Sequence, residues 1–272
     1  MQAPVLSTSS EPIFRLGCFL GVFAVMAIWE LLAARRDRVI SRWRRWPNNL
    51  GVVLIDTLAA RLVAPSGAVG FAILAEAKGW GLFHQITMPA WLELGLAVAI
   101  LDLGIYFQHR AFHRFPALWR FHLMHHSDLD LDVTSGARFH PVEILISLGV
   151  KFLLITALGA SALSVFVFEI LLNATAMFNH SNVRIPERLE RALRCLLVTP
   201  DMHRVHHSIL QRETDSNFGF NLPWWDRLFR TYRADPEEGH QRMSLGLPQF
   251  RDPKELRLDR MLTQPVRLHP HR

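Results

Sequence analysis

Two cysteines in 272 residues cannot staple a fold: Cys18 sits in an apolar run, Cys195 beside a basic stretch, and no others exist to build a disulfide framework. The same scarcity excludes four-cysteine zinc sites and cysteine-held iron–sulfur clusters. Tyrosine is also scarce, with two against 18 Phe and 8 Trp. Charged residues make up 20% and hydrophobic residues 50%, which rules out disorder for most of the chain. Mean hydropathy is +0.15, high for a protein surrounded by water.

What is present is basic. The pI of about 10.1 first suggests nucleic acid, but no DNA- or RNA-reading module accompanies it. All of the 30 Lys and Arg except Arg15, Arg61, Lys78 and Lys151 fall in residues 34–49, 109–143 and 181–272. Basic residues flanking apolar runs are what membrane orientation requires. Phe14–Ala33 is long enough to cross a bilayer; it is not read as a cleaved signal peptide, because no basic segment precedes it and Arg35-Arg36 follow it. Trp91–Phe107 is a second span. Ile144–Phe178 fits a helical hairpin broken at Gly159-Ala160-Ser161, either fully spanning or re-entrant. Leu50–Ala75 is the weakest span, since Asp56, Arg61 and Pro65 are costly in lipid. If it crosses, the three basic regions share one side, as the positive-inside rule favours; if it does not, the Arg35–Arg45 cluster is stranded.

The expected fold is therefore an all-α integral membrane protein of four to five transmembrane helices under a cytoplasmic helical cap. Residues 1–89 are read as N-terminal membrane helices, 90–233 as the catalytic domain and 234–272 as a polar, loop-rich tail. Residues 1–12 are expected to be loose, and 181–233 to form helices lying on the membrane surface.

Fourteen histidines are the remaining surplus, and eight form three clusters: His109-x3-His113, His122-x2-His125-His126 and His203-x2-His206-His207. Residues three or four apart share a helix face, so each cluster can converge its imidazoles on one point. Eight imidazole nitrogens exceed one ion's shell, and two metals are the economical reading. Bis-haem ligation through the pairs thirteen apart requires one continuous helix, which Pro116 interrupts. Structural zinc, a metal-dependent membrane hydrolase and a non-catalytic metal-binding protein are the other readings. The hydrolase lacks a His-Glu-x-x-His motif, and a carrier needs ligands along a path through the membrane rather than at one face.

Asp102-x3-Tyr106-x2-His109-Arg110-x2-His113, Trp119-Arg120-Phe121-His122-x2-His125-His126-Ser127, Arg138-Phe139-His140-Pro141, Asn179-His180-Ser181-Asn182 and Thr199-Pro200-Asp201-Met202-His203-x2-His206-His207 together resemble the fatty acid hydroxylase superfamily, also called the sterol desaturase family. The resemblance covers about residues 90–233 and is strongest to bacterial members related to alkylglycerol monooxygenase. It implies two iron ions that activate O2 to hydroxylate or desaturate a lipid, in a bacterial inner membrane with the site facing the cytoplasm. The eight clustered histidines become iron ligands, His180 a ninth, and His140 a ligand or a neighbour of one. The family often has a second histidine four residues before the position of His180; here it is Ala176, which leaves room for a water held by Asn173. Asp102 and Asp201 are placed to fix imidazole tautomers, the alternative being helix capping or surface solvation. No Gly-x-Gly-x-x-Gly and no cytochrome b5-like His-Pro-Gly-Gly segment occurs, so electrons are expected from a separate reductase or electron-transfer protein.

Overall fold

The computed structural model describes residues 11–267. Among these the chain is helical, with two isolated bridges and no strand. Five segments are long and apolar enough to cross a membrane. α1 (Glu11–Leu32) takes in Glu11 and Pro12; the rest of the stretch expected to be loose lies outside the described residues. α2 (Arg42–Val63) and α3 (Gly67–Ala77) replace the single span expected over 50–75. The cause is Pro65, which has no N–H to continue α2, followed by Gly67 at φ +63. α4 (Ala90–Arg114), at 25 residues, is longer than a bilayer needs and carries its last turns to the histidine face.

Phe115 adopts an extended conformation and Pro116 opens α5 (Pro116–His126), so the chain reverses there. α6 (Pro141–Leu158) ends in Gly159 at φ +69, and α7 (Ala162–His180) starts from Ser161, whose hydroxyl accepts from Ser164 N. The break at 159–161 is thus where the sequence puts it.

The helix ends gather on two faces. On one, Gly81 meets Gly159 so closely that a Cβ on Gly81 would lie 2.0 Å from the Gly159 nitrogen. Beside them Glu93, at the start of α4, accepts from Ser161 N, Ser161 Oγ and Ser164 Oγ at the start of α7. On the other face, Ala34 bridges Val183, linking the chain after α1 to the chain after α7. There Glu30 is fully buried and accepts from Val133 N and Asn182 N while pairing with Arg42. The five segments therefore alternate in direction, and the three basic regions share one face.

That face is organised around Arg45, buried near the start of α2. Its guanidinium donates to Asp128, Asp132, Ser135 Oγ and the carbonyl of Asp130. Arg138 joins from the other side, to Ser127 Oγ and the carbonyl of Met124. Burial alone raises the Asp128 carboxyl, but Arg45 and Arg138 overcome it and hold it down at about 2. Four short helices follow, α8 (Glu187–Leu193), α9 (Pro200–His206), α10 (Gln211–Thr214) and α11 (Trp224–Leu228), and cover the face.

The segment after 234, read from sequence as a loop-rich tail, instead packs. It contains α12 (Gly239–Arg242) and α13 (Leu258–Arg267). α13 lies on α5, with Met261 and Gln264 fully buried and Gln264 accepting from Ser127 Oγ at 2.9 Å. Pro248 and Pro253 each open a short 3-10 turn, whereas Pro265 lies within α13.

Three outcomes are expected. Arg45→Met leaves buried carboxylates without their cation, a loss of about 3–5 kcal/mol readable by denaturation in detergent. Because the Asp128 carboxyl is depressed on folding, its share of stability is present above its ordinary value of 3.8 and fades as pH falls towards 2. Single cysteines at Lys78 and Lys254, with the native cysteines replaced, should label from opposite sides of sealed vesicles. Labelling from the same side would contradict the five-pass path.

Candidate metal centre

Four elements bring nine imidazoles to one place. The last turns of α4 carry His109 and His113, and α5 carries His122, His125 and His126. Since α4 and α5 form a hairpin about Pro116, residues thirteen apart face each other: His109 and His122 approach with Nε2 atoms 3.1 Å apart, as do His113 and His126. α7 ends on His180. Thr199 caps α9 by accepting from Met202 N, with Pro200 at the first helical position, and so presents His203, His206 and His207.

These nine form two groups, His109, His113, His122, His126 and His206 in one and His125, His180, His203 and His207 in the other, each with its nitrogens within 4.8 Å of one another. In the second group, His180 Nε2 lies 3.1 Å from His125, 3.0 Å from His203 and 3.2 Å from His207.

Most of the outward nitrogens are anchored. Nδ1 of His109 meets the Phe218 carbonyl at 2.8 Å, His125 that of Arg138 at 3.1 Å, His180 that of Ala176 at 2.7 Å and His206 that of Ser216 at 2.7 Å. His122 Nδ1 meets Glu143 Oε1 at 2.8 Å, and His113 faces Asp215 at 3.4 Å. A carbonyl only accepts, so each of those Nδ1 atoms carries the proton and Nε2 is left with a lone pair. His125 and His180 then face each other with two lone pairs at 3.1 Å and no proton to share. His206 Nε2 is buried with no hydrogen-bond partner at all. Such an arrangement calls for a cation between the rings, and the residues fit a pair of metal ions.

Burial also keeps the rings neutral. It lowers His122 to about 3, and holds His125, His126, His203, His206 and His207 well below the ordinary imidazole value, with neighbouring histidines adding to the effect. Neutral imidazole is the form that binds metal, and an all-nitrogen donor set suits Fe, Zn, Cu or Ni.

All eight clustered histidines and His180 therefore come together. Four other expected residues do not join them. His140 caps α6, its Nδ1 accepting from Val142 N while its Nε2 faces the Leu262 carbonyl, outside both groups. Asp102 reaches the 221–225 loop, accepting from Asn221 N, Leu222 N and Trp225 Nε1 rather than from an imidazole. Asp201 pairs with Arg35 and Arg204. Asn173 donates to the Glu169 carbonyl, one turn back on its own helix.

The anchors are instead the carbonyls of Arg138 and Ala176, together with Glu143 and residues 215–218, and the sequence singled out neither of the last two. Asn217, at φ +52, holds the latter segment by donating to the carbonyls of Met202 and Arg233, and Asp226 accepts from Phe218 N and Gly219 N. The identity of Glu143 is visible in sequence, but its reach to a ring on another helix is not.

A cavity of about 570 Å³ adjoins the first group. It is lined by His109, His122, Glu143 and Ala176 and continues past Asp56 and Asn173 among the spans.

The model of the fatty acid hydroxylase family matches residues 94–231. Over 224 residues the chain is 29% identical to the ornithine lipid hydroxylase OlsE of Rhizobium tropici, covering 80% of this chain and 66% of that protein. It is 29% identical over 169 residues to the alkylglycerol monooxygenase of Homo sapiens, covering 58% of this chain and 35% of that protein. It is also 28% identical over 180 residues to the very-long-chain aldehyde decarbonylase GL1-1 of Oryza sativa subsp. japonica, covering 60% of this chain and 28% of that protein. The chain thus spans less than two thirds of each relative's length. No solved structure matches.

The geometry predicts two transition-metal ions per chain by elemental analysis. His206→Ala and His180→Ala should each lose close to one equivalent, whereas His140→Ala should keep both. Full retention in His206→Ala and His180→Ala would remove the metal assignment.

Proposed function

The chain belongs to the fatty acid hydroxylase family, and from that premise we propose that it is an integral-membrane oxidoreductase that uses O2 and two irons to hydroxylate or desaturate a lipid. In this reading the five-histidine group holds one iron and the four-histidine group the other. The observation that carries it is the cavity, whose wall includes His109 and His122 at the metal groups and Leu148, Ile170 and Leu172 among the apolar helices. A lipid carbon can reach the metals there without leaving the membrane. Its relatives' names, a lipid hydroxylase, an ether-lipid monooxygenase and an aldehyde decarbonylase, support a lipid substrate.

Unactivated C–H bonds demand a strong oxidant, which bound iron with O2 would supply. The chain's own residues do the positioning. Glu143 and the Ser216 and Phe218 carbonyls fix ring orientation, while Phe139 stacks on His125 and Phe220 stands edge-on to His109. Hydroxylation consumes one O2, two electrons and two protons per lipid and releases one water. We assign the electrons to a separate electron-transfer protein and, by the positive-inside rule, place the histidine face in the cytoplasm. Iron-loaded protein given a reductant, a membrane lipid extract and isotopically labelled O2 should yield a lipid with labelled hydroxyl, or one two hydrogens poorer. O2-independent turnover, or none, would overturn the reading.

Ala176 gives a sharper test. It is 5% exposed, lines the cavity and sits one turn before His180. An imidazole there would fill the position that a four-histidine group leaves open. Ala176→His should keep both metals while turnover falls at least about tenfold. A rate equal to wild type would show that the position is not used.

A further inference from the structure

Three buried acceptors on the cavity wall have no hydrogen-bond partner. Asp56 is 7% exposed and its Oδ1 has no partner; Glu143 is 3% exposed and, having given Oε1 to His122, keeps Oε2 without one. Gln108 uses its amide nitrogen on Ser147 Oγ at 2.6 Å and leaves Oε1 buried and unpartnered. All three residues line the cavity. Gln108 adjoins His109, so this polar wall begins at the metal groups.

Two of the cations on the same wall are paired with carboxylates, and the third, Arg61, is exposed. Arg15 pairs with Glu11 and with Glu169 at 2.8 Å, Lys151 shares Glu169, and Arg61 donates to the Pro65 carbonyl at 2.7 Å. A hydrocarbon chain alone would leave the three acceptors unsatisfied, which is costly in a low-dielectric interior. An ionisable residue such as Asp56 within a membrane span also ordinarily marks a ligand path. A hydroxyl answers one acceptor, whereas a primary amine head, as ammonium, brings three N–H donors to the three acceptors.

We infer that Asp56, Gln108 and Glu143 form a subsite for a lipid head group bearing a free primary amine, which places the head-group end of the substrate beside the metals. The inference rests on the lipid-oxidation reading and narrows its substrate class. A matched pair of probes tests it: ornithine lipid, whose head carries one free amine, and the same lipid N-acetylated, which keeps the chains and loses the charge. Both are offered to metal-loaded full-length protein in detergent, and retention is read by native mass spectrometry.

The free-amine lipid should bind at least tenfold more tightly than its acetylated form. Asp56→Asn should bring the two to the same level, and Gln108→Leu should narrow the gap about threefold; the wild-type comparison stands even if either variant fails to fold. Equal retention by wild type overturns the amine subsite, as does a preference that survives Asp56→Asn in folded protein. Displacement of the lipid by equimolar ethanolamine would show a site for a free amine rather than a lipid. Equal retention with oxidised lipid still formed would sink this subsite alone. A clear preference with no oxidation by iron-loaded protein would sink the lipid-oxidation reading alone.

Discussion

Nine neutral imidazoles with their lone pairs turned inward repel one another, and much of the rest of the chain exists to hold them in that position. The force has to come from behind the rings. Backbone carbonyls of Arg138, Ala176, Ser216 and Phe218 hold four of them by Nδ1, and Glu143 holds a fifth. Those anchors in turn depend on Arg45 and Arg138 knotting the 128–138 loop and on Asn217 and Asp226 pinning the 215–219 segment. Buried ion pairs behind the rings thus support the geometry of the site.

What the sequence disclosed follows from range. Hydropathy placed the apolar spans, and Gly159 and Pro116 placed two reversals, because each is a local property of the backbone. Histidine spacing grouped the rings for the same reason. Residues read by position along one helix fared differently. Asp102 lies two turns from His109, yet its carboxylate is drawn to three N–H donors of the 221–225 loop, a stronger demand than one imidazole makes. His140 precedes a proline, and the N-cap position it then occupies uses its ring on Val142 N. Carbonyl anchors have no side-chain signature, so residues 215–218 left no trace in the pattern. The segment after 234 looked like a tail because proline and glycine break periodicity whether a chain is packed or free.

The spans themselves are unequal in work. α4 and α7 end in metal-group histidines, whereas α1 and α2 supply the buried charges Glu30 and Arg45 that tie the loops down. α2 has a second role, since it carries Asp56 along the cavity instead of into lipid. A residue that is expensive in hydrocarbon is tolerated because the wall it faces is not hydrocarbon.

The hairpin at Pro116 also imposes an order in time. Four members of the five-histidine group lie within residues 109–126 and meet through contacts only thirteen positions apart, so they can assemble while the chain is still being made. The four-histidine group draws on α5, α7 and α9, and cannot close before His207 has been synthesised. The nascent protein therefore passes through a stage in which one half of its centre is nearly built and the other does not exist. A metal ion reaching the growing chain would meet those two halves in sequence.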